Sequence, residues 1–298
     1  MNEFSAWPAT AGSYDVGEGI IWDWRVGLIR WVDITRGLLF AGRLEGDRIV
    51  ETGRHDFGQT VGAVALAEDG GLLVALARGL ATVSTAGEVS VGPDILDRPD
   101  VRLNDGAVDP HGRFIVGTLR LAGESHDQEL LRVSPDLSVE VLRGGLGLSN
   151  GVAFSRDGGT IYHVDSLAKT VSSHSYRTGE FDADEPWKVV LDDFPALPDG
   201  LVVDGDGMLW VALWGGGRVQ RYAPTGELLA EVRVAASQAS CPSFIGPDLD
   251  ILAIATAAEG QEGLGDESGA IFLVRTGATG LPEPRWRGQT AFDYEETR

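Results

Sequence analysis

Short apolar runs separated by polar turns dominate this chain. Apolar and polar residues alternate along many of these runs, which is typical of strands, whereas the spacing of amphipathic helices is scarce. Clusters of Asp, Gly and Pro between the runs predict tight turns. Examples of the runs are TVGAVALA (60–67), RFIVGTL (113–119), TIYHVDS (160–166) and MLWVALW (208–214), and examples of the turns are AEDGG (67–71), DPHG (109–112), SRDGG (155–159) and DGDG (204–207). The pattern predicts an all-β protein.

A run–turn–run motif recurs every 43 to 49 residues along the chain. The repeats begin at Gly19, Gly62, Gly106, Gly151, Gly200 and Ser243. A repeat of this length made of short strands is typical of the blades of a β-propeller. No linker or change of composition interrupts the repeats, so we predict a six-bladed β-propeller that forms a single domain over residues 1–298. Because a ring needs a closing device, we expect residues 281–298 to supply the outermost strand of the first blade.

The residue before each repeat start is expected to face the central channel, because the first strand of a blade lines it. Glu18, Asn150 and Asp199 occupy three of these positions and carry side-chain oxygens. Asp and Asn are also common before Gly as turn formers, so a structural role stays open for Asn150 and Asp199. Carboxylate and amide oxygens are the ligands that hard divalent cations prefer. The register therefore predicts one divalent cation, with Ca²⁺, Zn²⁺, Mg²⁺, Mn²⁺ and Fe²⁺ as candidates, and open positions for water and substrate.

Charge and composition narrow the class of protein. The chain has 45 acidic and 24 basic residues and a net charge of -21, which argues against binding to nucleic acid or to an anionic membrane surface. The sequence contains no run of 18 apolar residues, so we predict no membrane-spanning helix. The N-terminus lacks the features of a secretory signal. The single cysteine, Cys241, cannot form an internal disulfide. These features favour a cytoplasmic protein, either a monomer or a small homo-oligomer.

Several segments in order resemble the SMP-30/gluconolactonase/luciferin-regenerating-enzyme family, which includes regucalcin and the bacterial sugar lactonases. The matching segments are GEGIIWD (17–23), RLNDGAVDPHGRFIVGTL (102–119), LSNGVAFSRDGGTIYHVDS (148–166), LPDGLVVDGDGMLWVALWGGGRV (197–219) and GPDLDILAIATA (246–257). Each segment alone would be a weak signal, but together they cover most of the chain. The resemblance implies a six-bladed propeller with one divalent metal ion in the channel.

The resemblance also implies roles for individual residues. The family's metal ligands fall on Glu18, Asn150 and Asp199, and the aspartate is also its proposed general base. The residues that hold the sugar hydroxyls fall on Arg102 and Asn104. Alternatives that need no substrate are an ion pair of Arg102 with Asp100 or Asp105 and a local turn at Asn104.

The chain departs from the family pattern near residue 122, at the place of an acidic residue that contacts the substrate. Some relatives carry an acidic residue where this sequence has Ala122, and Glu124 follows two places later. Either Glu124 contacts the substrate in place of the residue at position 122, or no acidic residue of this loop does so. Glu124 belongs to the acidic insertion 121–129, and a second such insertion spans 256–267. Both insertions are candidate walls of a pocket, or else surface loops.

The leading functional hypothesis is a metal-dependent sugar lactonase that hydrolyses an aldono-lactone of the gluconolactone, xylonolactone or arabinonolactone type. One alternative is a broader lactone or phosphotriester esterase that uses the same ion, and another is a calcium-binding propeller without catalysis. A nucleophilic hydrolase is disfavoured because there is no GxSxG motif and no motif surrounds Cys241. The segment Asp204–Gly207 is expected to be a hairpin turn rather than part of an EF-hand, since Gly215 stands where the EF-hand needs Glu.

Overall fold

The computed structural model describes residues 1–11, 13–177, 179, 181–182, 184–261, 267–289 and 292. In these residues six sheets stand in a ring as the blades of a propeller, which confirms the predicted fold. Strands β1 (Asn2–Ser5) and β2 (Trp7–Pro8) precede the first blade. No helix in the described part of the chain has the length and apolar character needed to cross a membrane.

Each blade is a mainly antiparallel sheet whose strands follow one another from the channel outward. Blade 1 contains β3 (Gly17–Asp23), β4 (Leu28–Asp33), β5 (Leu38–Glu45) and β6 (Arg48–Asp56). Blade 2 contains β7 (Ala63–Leu66), β8 (Leu72–Ala75), β9 (Gly79–Val83) and β10 (Val89–Asp94). Blade 3 contains β11 (Val101–Val108), β12 (Phe114–Arg120), β13 (Gln128–Val133) and β14 (Val139–Leu146).

The second half of the ring repeats this arrangement. Blade 4 contains β15 (Ser149–Phe154), β16 (Thr160–Asp165), β17 (Thr170–Ser175) and β18 (Lys188–Leu191). Blade 5 contains β19 (Leu197–Val203), β20 (Leu209–Trp214), β21 (Arg218–Tyr222) and β22 (Leu228–Arg233). Blade 6 contains β23 (Ala239–Ile245), β24 (Ile251–Thr256) and β25 (Phe272–Val274).

The repeat glycines allow the inner strands of neighbouring blades to approach one another closely. A Cβ atom added at Gly62 would lie 2.6 Å from the carbonyl oxygen of Asn104, on the next blade. One added at Gly151 would lie 2.6 Å from the carbonyl oxygen of Asp199. No side chain fits at these points. The glycines recur along the sequence because each one lies where the inner strands of neighbouring blades are in contact.

The ring is closed by the N-terminus, and the prediction of closure by residues 281–298 is wrong. Strand β2 pairs with β25 as the outermost strand of blade 6, and β1 adds a parallel strand to β22 of blade 5. Within the described residues, which leave out 290–291 and 293–298, blade 1 takes its four strands from residues 17–56. Pro282 and Pro284 lack the N–H groups that a paired strand needs, and the C-terminal segment instead packs Trp286 into the core between blades 2 and 3.

The hairpin expected at Asp204–Gly207 is present between β19 and β20. The Asp204 carboxylate accepts hydrogen bonds from the backbone N–H groups of Asp206 (3.0 Å) and Met208 (2.9 Å), and from the Trp210 indole (2.9 Å). It also accepts a hydrogen bond from Arg221 (2.8 Å). These bonds use the carboxylate to brace the turn, so the segment is structural.

Candidate functional site

Four inner strands present a polar side chain at the position before the repeat start. These residues are Glu18 on β3, Asp105 on β11, Asn150 on β15 and Asp199 on β19. On each of these strands the pairing with the second strand of the blade shifts register at or beside this residue. Irregularities of this kind bend a strand and re-aim its side chains, and they are common next to active sites.

The three carboxyl groups of this set influence one another strongly. Glu18 and Asp199 are each 5% exposed. Burial raises the pKa of Glu18 well above its ordinary value, and the charges of Asp199 and Asp105 raise it further. Burial and the charge of Asp105 likewise raise the pKa of Asp199, an effect that the Arg102 guanidinium opposes. Burial raises the pKa of Asp105 to about 6. A divalent cation among these groups would offset both burial and repulsion, so the donor set fits a hard divalent ion.

An amide oxygen is needed to complete a metal site here. No three His, Cys, Asp or Glu side chains within the described ranges are arranged to hold a metal by themselves. The candidate set is therefore Glu18, Asp199 and the Oδ1 atom of Asn150. Oδ1 accepts a hydrogen bond from Asn104 Nδ2 at 2.7 Å and keeps a second lone pair. The sequence suggested Asp105 only as an ion-pair partner of Arg102, although it precedes Gly106 in the same register and is a further buried carboxyl of the channel.

Arg102 is a charged donor beside this set. Burial lowers its pKa to about 10, although the nearby carboxylates of Glu18, Glu259 and Asp199 act to raise it. Its Nη1 atom donates to the Leu103 carbonyl (3.0 Å) and to Asn104 Oδ1 (2.7 Å). A guanidinium only donates hydrogen bonds, which suits it to bind the oxygen atoms of a substrate. Among the described residues Arg102 forms no ion pair with Asp100 or with Asp105, and Asp100 pairs with Arg120 at 3.2 Å.

Asn104 is 4% exposed and uses its whole amide group inside the protein. Its Nδ2 atom donates to the Ser149 carbonyl (2.9 Å) and to Asn150 Oδ1 (2.7 Å), while its Oδ1 accepts from Arg102. The side chain therefore does not form the local turn that was considered as an alternative. The structure brings the predicted substrate residue Asn104 into direct contact with the predicted metal ligand Asn150.

Glu124 lies in an exposed loop that starts where β12 ends at Arg120. Arg120 pairs with Val101, the neighbour of Arg102, so the loop leaves the propeller at the end that carries the site. In the described residues Glu124 forms no hydrogen bond or ion pair with Arg102 or Asn104, and its substrate role stays a prediction. The second acidic insertion contributes Glu259, whose charge acts on Arg102. Residues 262–266 of that insertion lie outside the described residues.

A cavity of about 360 Å³ occupies the channel and is lined by inner-strand residues, including Asp105, and by part of the C-terminal segment. Glu283 lines it from that segment, and burial together with the charge of Asp105 raises the pKa of Glu283 to about 7. Cys241 also lines the cavity. Burial and the charge of Glu18 raise the pKa of its thiol well above the ordinary value, so Cys241 is not a reactive thiolate.

Two curated proteins are similar to this chain over most of its length. The chain is 35% identical over 283 residues to pentonolactonase XacC of Haloferax volcanii, which covers 91% of this chain and 94% of the relative. It is 33% identical over 286 residues to 6-deoxy-6-sulfogluconolactonase of Pseudomonas putida, covering 92% of this chain and 95% of the relative. Lactonases are carboxylic-ester hydrolases, so the prediction of an enzyme of this class is confirmed.

A solved structure and a family model complete the comparison. The fold superposes with a TM-score of 0.88 on the crystal structure of regucalcin, a calcium-binding protein from Agrobacterium tumefaciens. The match covers 96% of this chain and 99% of the other, with 28% identity. The model of the SMP-30/gluconolactonase/LRE-like region matches residues 16–258, a span that includes Glu18, Asn150 and Asp199. The chain therefore belongs to the SMP-30/gluconolactonase/LRE-like family.

Proposed function

We propose that the protein is a metal-dependent sugar lactonase that hydrolyses an aldono-lactone to the aldonic acid. The observation that carries the proposal is the grouping of two buried carboxylates, Glu18 and Asp199, with the amide oxygen of Asn150 and the guanidinium of Arg102. Pentonolactonase and sulfogluconolactonase activities among the relatives support a five- or six-carbon aldono-lactone as substrate.

Glu18, Asn150 and Asp199 would hold one divalent cation, with Ca²⁺, Zn²⁺, Mg²⁺, Mn²⁺ and Fe²⁺ as candidates. When bound, this cation would polarise the lactone carbonyl and stabilise negative charge on its oxygen. The calcium-binding regucalcin with the same fold supports a divalent cation in this family. The donor set consists only of oxygens, which suits hard cations best.

In the proposed reaction, a water oxygen forms a bond to the carbonyl carbon of the lactone. The Asp199 carboxylate accepts a proton from that water. The ring C–O bond then breaks, the ring oxygen takes up the proton held by Asp199 and becomes a hydroxyl group, and the product acid ionises at neutral pH. Arg102 donates hydrogen bonds to hydroxyl or carbonyl oxygens of the sugar and so orients it. Asn104 and Glu124 are the further predicted substrate residues.

The test is a panel of C5 and C6 aldonolactones, with proton release followed at low buffer concentration and spontaneous hydrolysis subtracted. The protein is stripped with EDTA and then restored with each cation in turn. We expect hydrolysis of at least one lactone, loss of activity on stripping, and recovery with a divalent cation. A protein that binds Ca²⁺ but hydrolyses none of the lactones would instead be a calcium-binding propeller, and full activity after stripping would refute the metal dependence.

A further inference from the structure

A continuous chain of hydrogen bonds runs from the predicted substrate arginine to the backbone next to Asp199. Arg102 Nη1 donates to Asn104 Oδ1 (2.7 Å), and Asn104 Nδ2 donates to Asn150 Oδ1 (2.7 Å). Asn150 Nδ2 donates to Ser166 Oγ (2.9 Å), and Ser166 Oγ donates to the Pro198 carbonyl (2.6 Å). This chain of hydrogen bonds crosses from blade 3 through blade 4 to blade 5 and ends at the residue before Asp199.

The direction of this chain is fixed at both ends. A guanidinium can only donate, so Asn104 must turn its oxygen towards Arg102 and its NH₂ group towards Asn150. A backbone carbonyl can only accept, so the Ser166 hydroxyl hydrogen is committed to Pro198 and its lone pair faces Asn150. Asn104, Asn150 and Ser166 are 4%, 8% and 2% exposed, so exchange of these partners for bulk water is hindered.

The amide of Asn150 therefore has one favourable orientation. Turned by 180°, it would set its NH₂ group against the NH₂ group of Asn104 and its oxygen against the committed hydroxyl oxygen of Ser166. Each contact would lose a buried hydrogen bond and bring like partial charges together. This matters for cation binding because the amide oxygen is a metal ligand and the amide NH₂ group is not.

We propose that Ser166 and Asn104 are positioning residues that keep the Asn150 oxygen available to the cation. The inference rests on the proposed function, in which Asn150 is a ligand. It also gives Asn104 a role that does not depend on contact with the sugar, since both hydrogens of its amide are already donated inside the protein. Ser166 follows directly after β16 and lies outside the register that marks the ligands themselves.

The test is calorimetric titration of the EDTA-stripped protein with Ca²⁺ and with Mn²⁺, which needs no substrate. Ser166→Ala removes the acceptor of Asn150 Nδ2 and should weaken cation affinity tenfold to a hundredfold, the usual range for residues that orient a ligand. The matched control is Ser172→Ala, which deletes another buried hydroxyl in blade 4. Ser172 is 0% exposed and contacts Arg143 rather than Asn150, so the control should bind within about twofold of the parent.

A double-mutant cycle shows whether Ser166→Ala lowers cation affinity through the orientation of the Asn150 amide or through a general loosening of the site. In Asn150→Asp both side-chain atoms are oxygens, so either orientation offers a ligand. Adding Ser166→Ala to Asn150→Asp should then change affinity by no more than about twofold. An equal loss in both backgrounds, or parental affinity in Ser166→Ala, would overturn the inference. If Ser166→Ala does not fold, Asn104→Ala breaks the chain from blade 3, and parental affinity in that variant would overturn it equally.

The same titrations distinguish failure of this inference from failure of the proposed function. If the parent binds neither cation, the proposed metal centre is wrong and the inference falls with it. If the parent binds a cation, Glu18→Gln loses it, and Ser166→Ala binds like the parent, only the positioning role is refuted.

Discussion

Replacement of Gly151 by Ala tests how the blades set the position of Asp199. The added Cβ would lie 2.6 Å from the Asp199 carbonyl oxygen and 2.7 Å from both the Cβ and the backbone nitrogen of Leu201. Real Cβ atoms essentially never approach other heavy atoms closer than 3.0 Å, so β15 and β19 must move apart by several tenths of an ångström. Gly151 does not have a positive φ, and the strain is therefore steric.

The expected magnitude follows from overpacking. Forcing a methyl group into a closely packed core typically costs about 1–3 kcal/mol, which corresponds to a fall in Tm of roughly 2–5 °C for a chain of this size. Because the displaced backbone belongs to Asp199 itself, cation affinity should fall together with Tm. The change is local, so the far-UV circular dichroism spectrum should remain that of a β protein.

The control is Gly53→Ala, the same chemical change in the outermost strand of blade 1. A Cβ there meets nothing within 4 Å, and this variant should keep parental Tm and cation affinity. Tm is measured by differential scanning calorimetry and affinity by calorimetric titration with Ca²⁺. A Gly151→Ala variant that matches the parent in both measurements would show that the inner strands are not packed as described.

The remaining predictions concern closure, pH and substrate binding. Deletion of residues 1–8 removes β1 and β2 and should lower Tm by several degrees, because a propeller opened at blade 6 loses its closing strand; an unchanged Tm would count against N-terminal closure. The pKa of Glu283 is raised to about 7 in the folded chain, so this group costs stability as pH rises from about 4.5 to 7. Glu283→Gln should therefore raise the Tm of the stripped protein at pH 8 but not at pH 4.5, whereas the exposed Glu88→Gln should change neither. Equal effects of Glu283→Gln at both pH values would show that ionisation of Glu283 does not cost stability. Arg102→Ala should raise KM for the lactone by about tenfold or more, with a smaller fall in kcat, if the guanidinium mainly binds and orients substrate; a loss confined to kcat would argue against that role.

The repeat and the shared register of the candidate ligands could be read from the sequence because packing of the inner strands imposes the repeat. Gly62 and Gly151 belong to the repeat because their inner strands leave no room for a Cβ. On β3, β11, β15 and β19 the strand pairing shifts register at or beside the residue that precedes the repeat glycine. Closure was not predictable in the same way. Strand β2 is only two residues long, Trp7–Pro8, and no apolar alternation marks so short an edge strand.

The candidate site was predictable in part for a similar reason. Glu18, Asn150 and Asp199 share the register, and Asp105 carries the same signal. Arg102 and Asn104 entered through the resemblance to the family, because neither stands at the register position. Ser166 could not be found from the sequence, since its contact with Asn150 depends on how the end of β16 folds back towards β15.

The most direct test of the proposed hydrolytic mechanism is the turnover number of Asp199→Asn with the divalent cation in saturating excess. Asp199 is proposed both as a ligand and as the group that takes the proton from the attacking water. Loss of general base catalysis alone is worth about 10²–10⁴-fold in rate, and any disturbance of the metal centre adds to that loss. On the lactone that the parent hydrolyses best, we therefore expect kcat to fall by at least a factor of about 100 after correction for spontaneous hydrolysis. A variant that keeps parental kcat under these conditions would contradict the proposed hydrolytic mechanism.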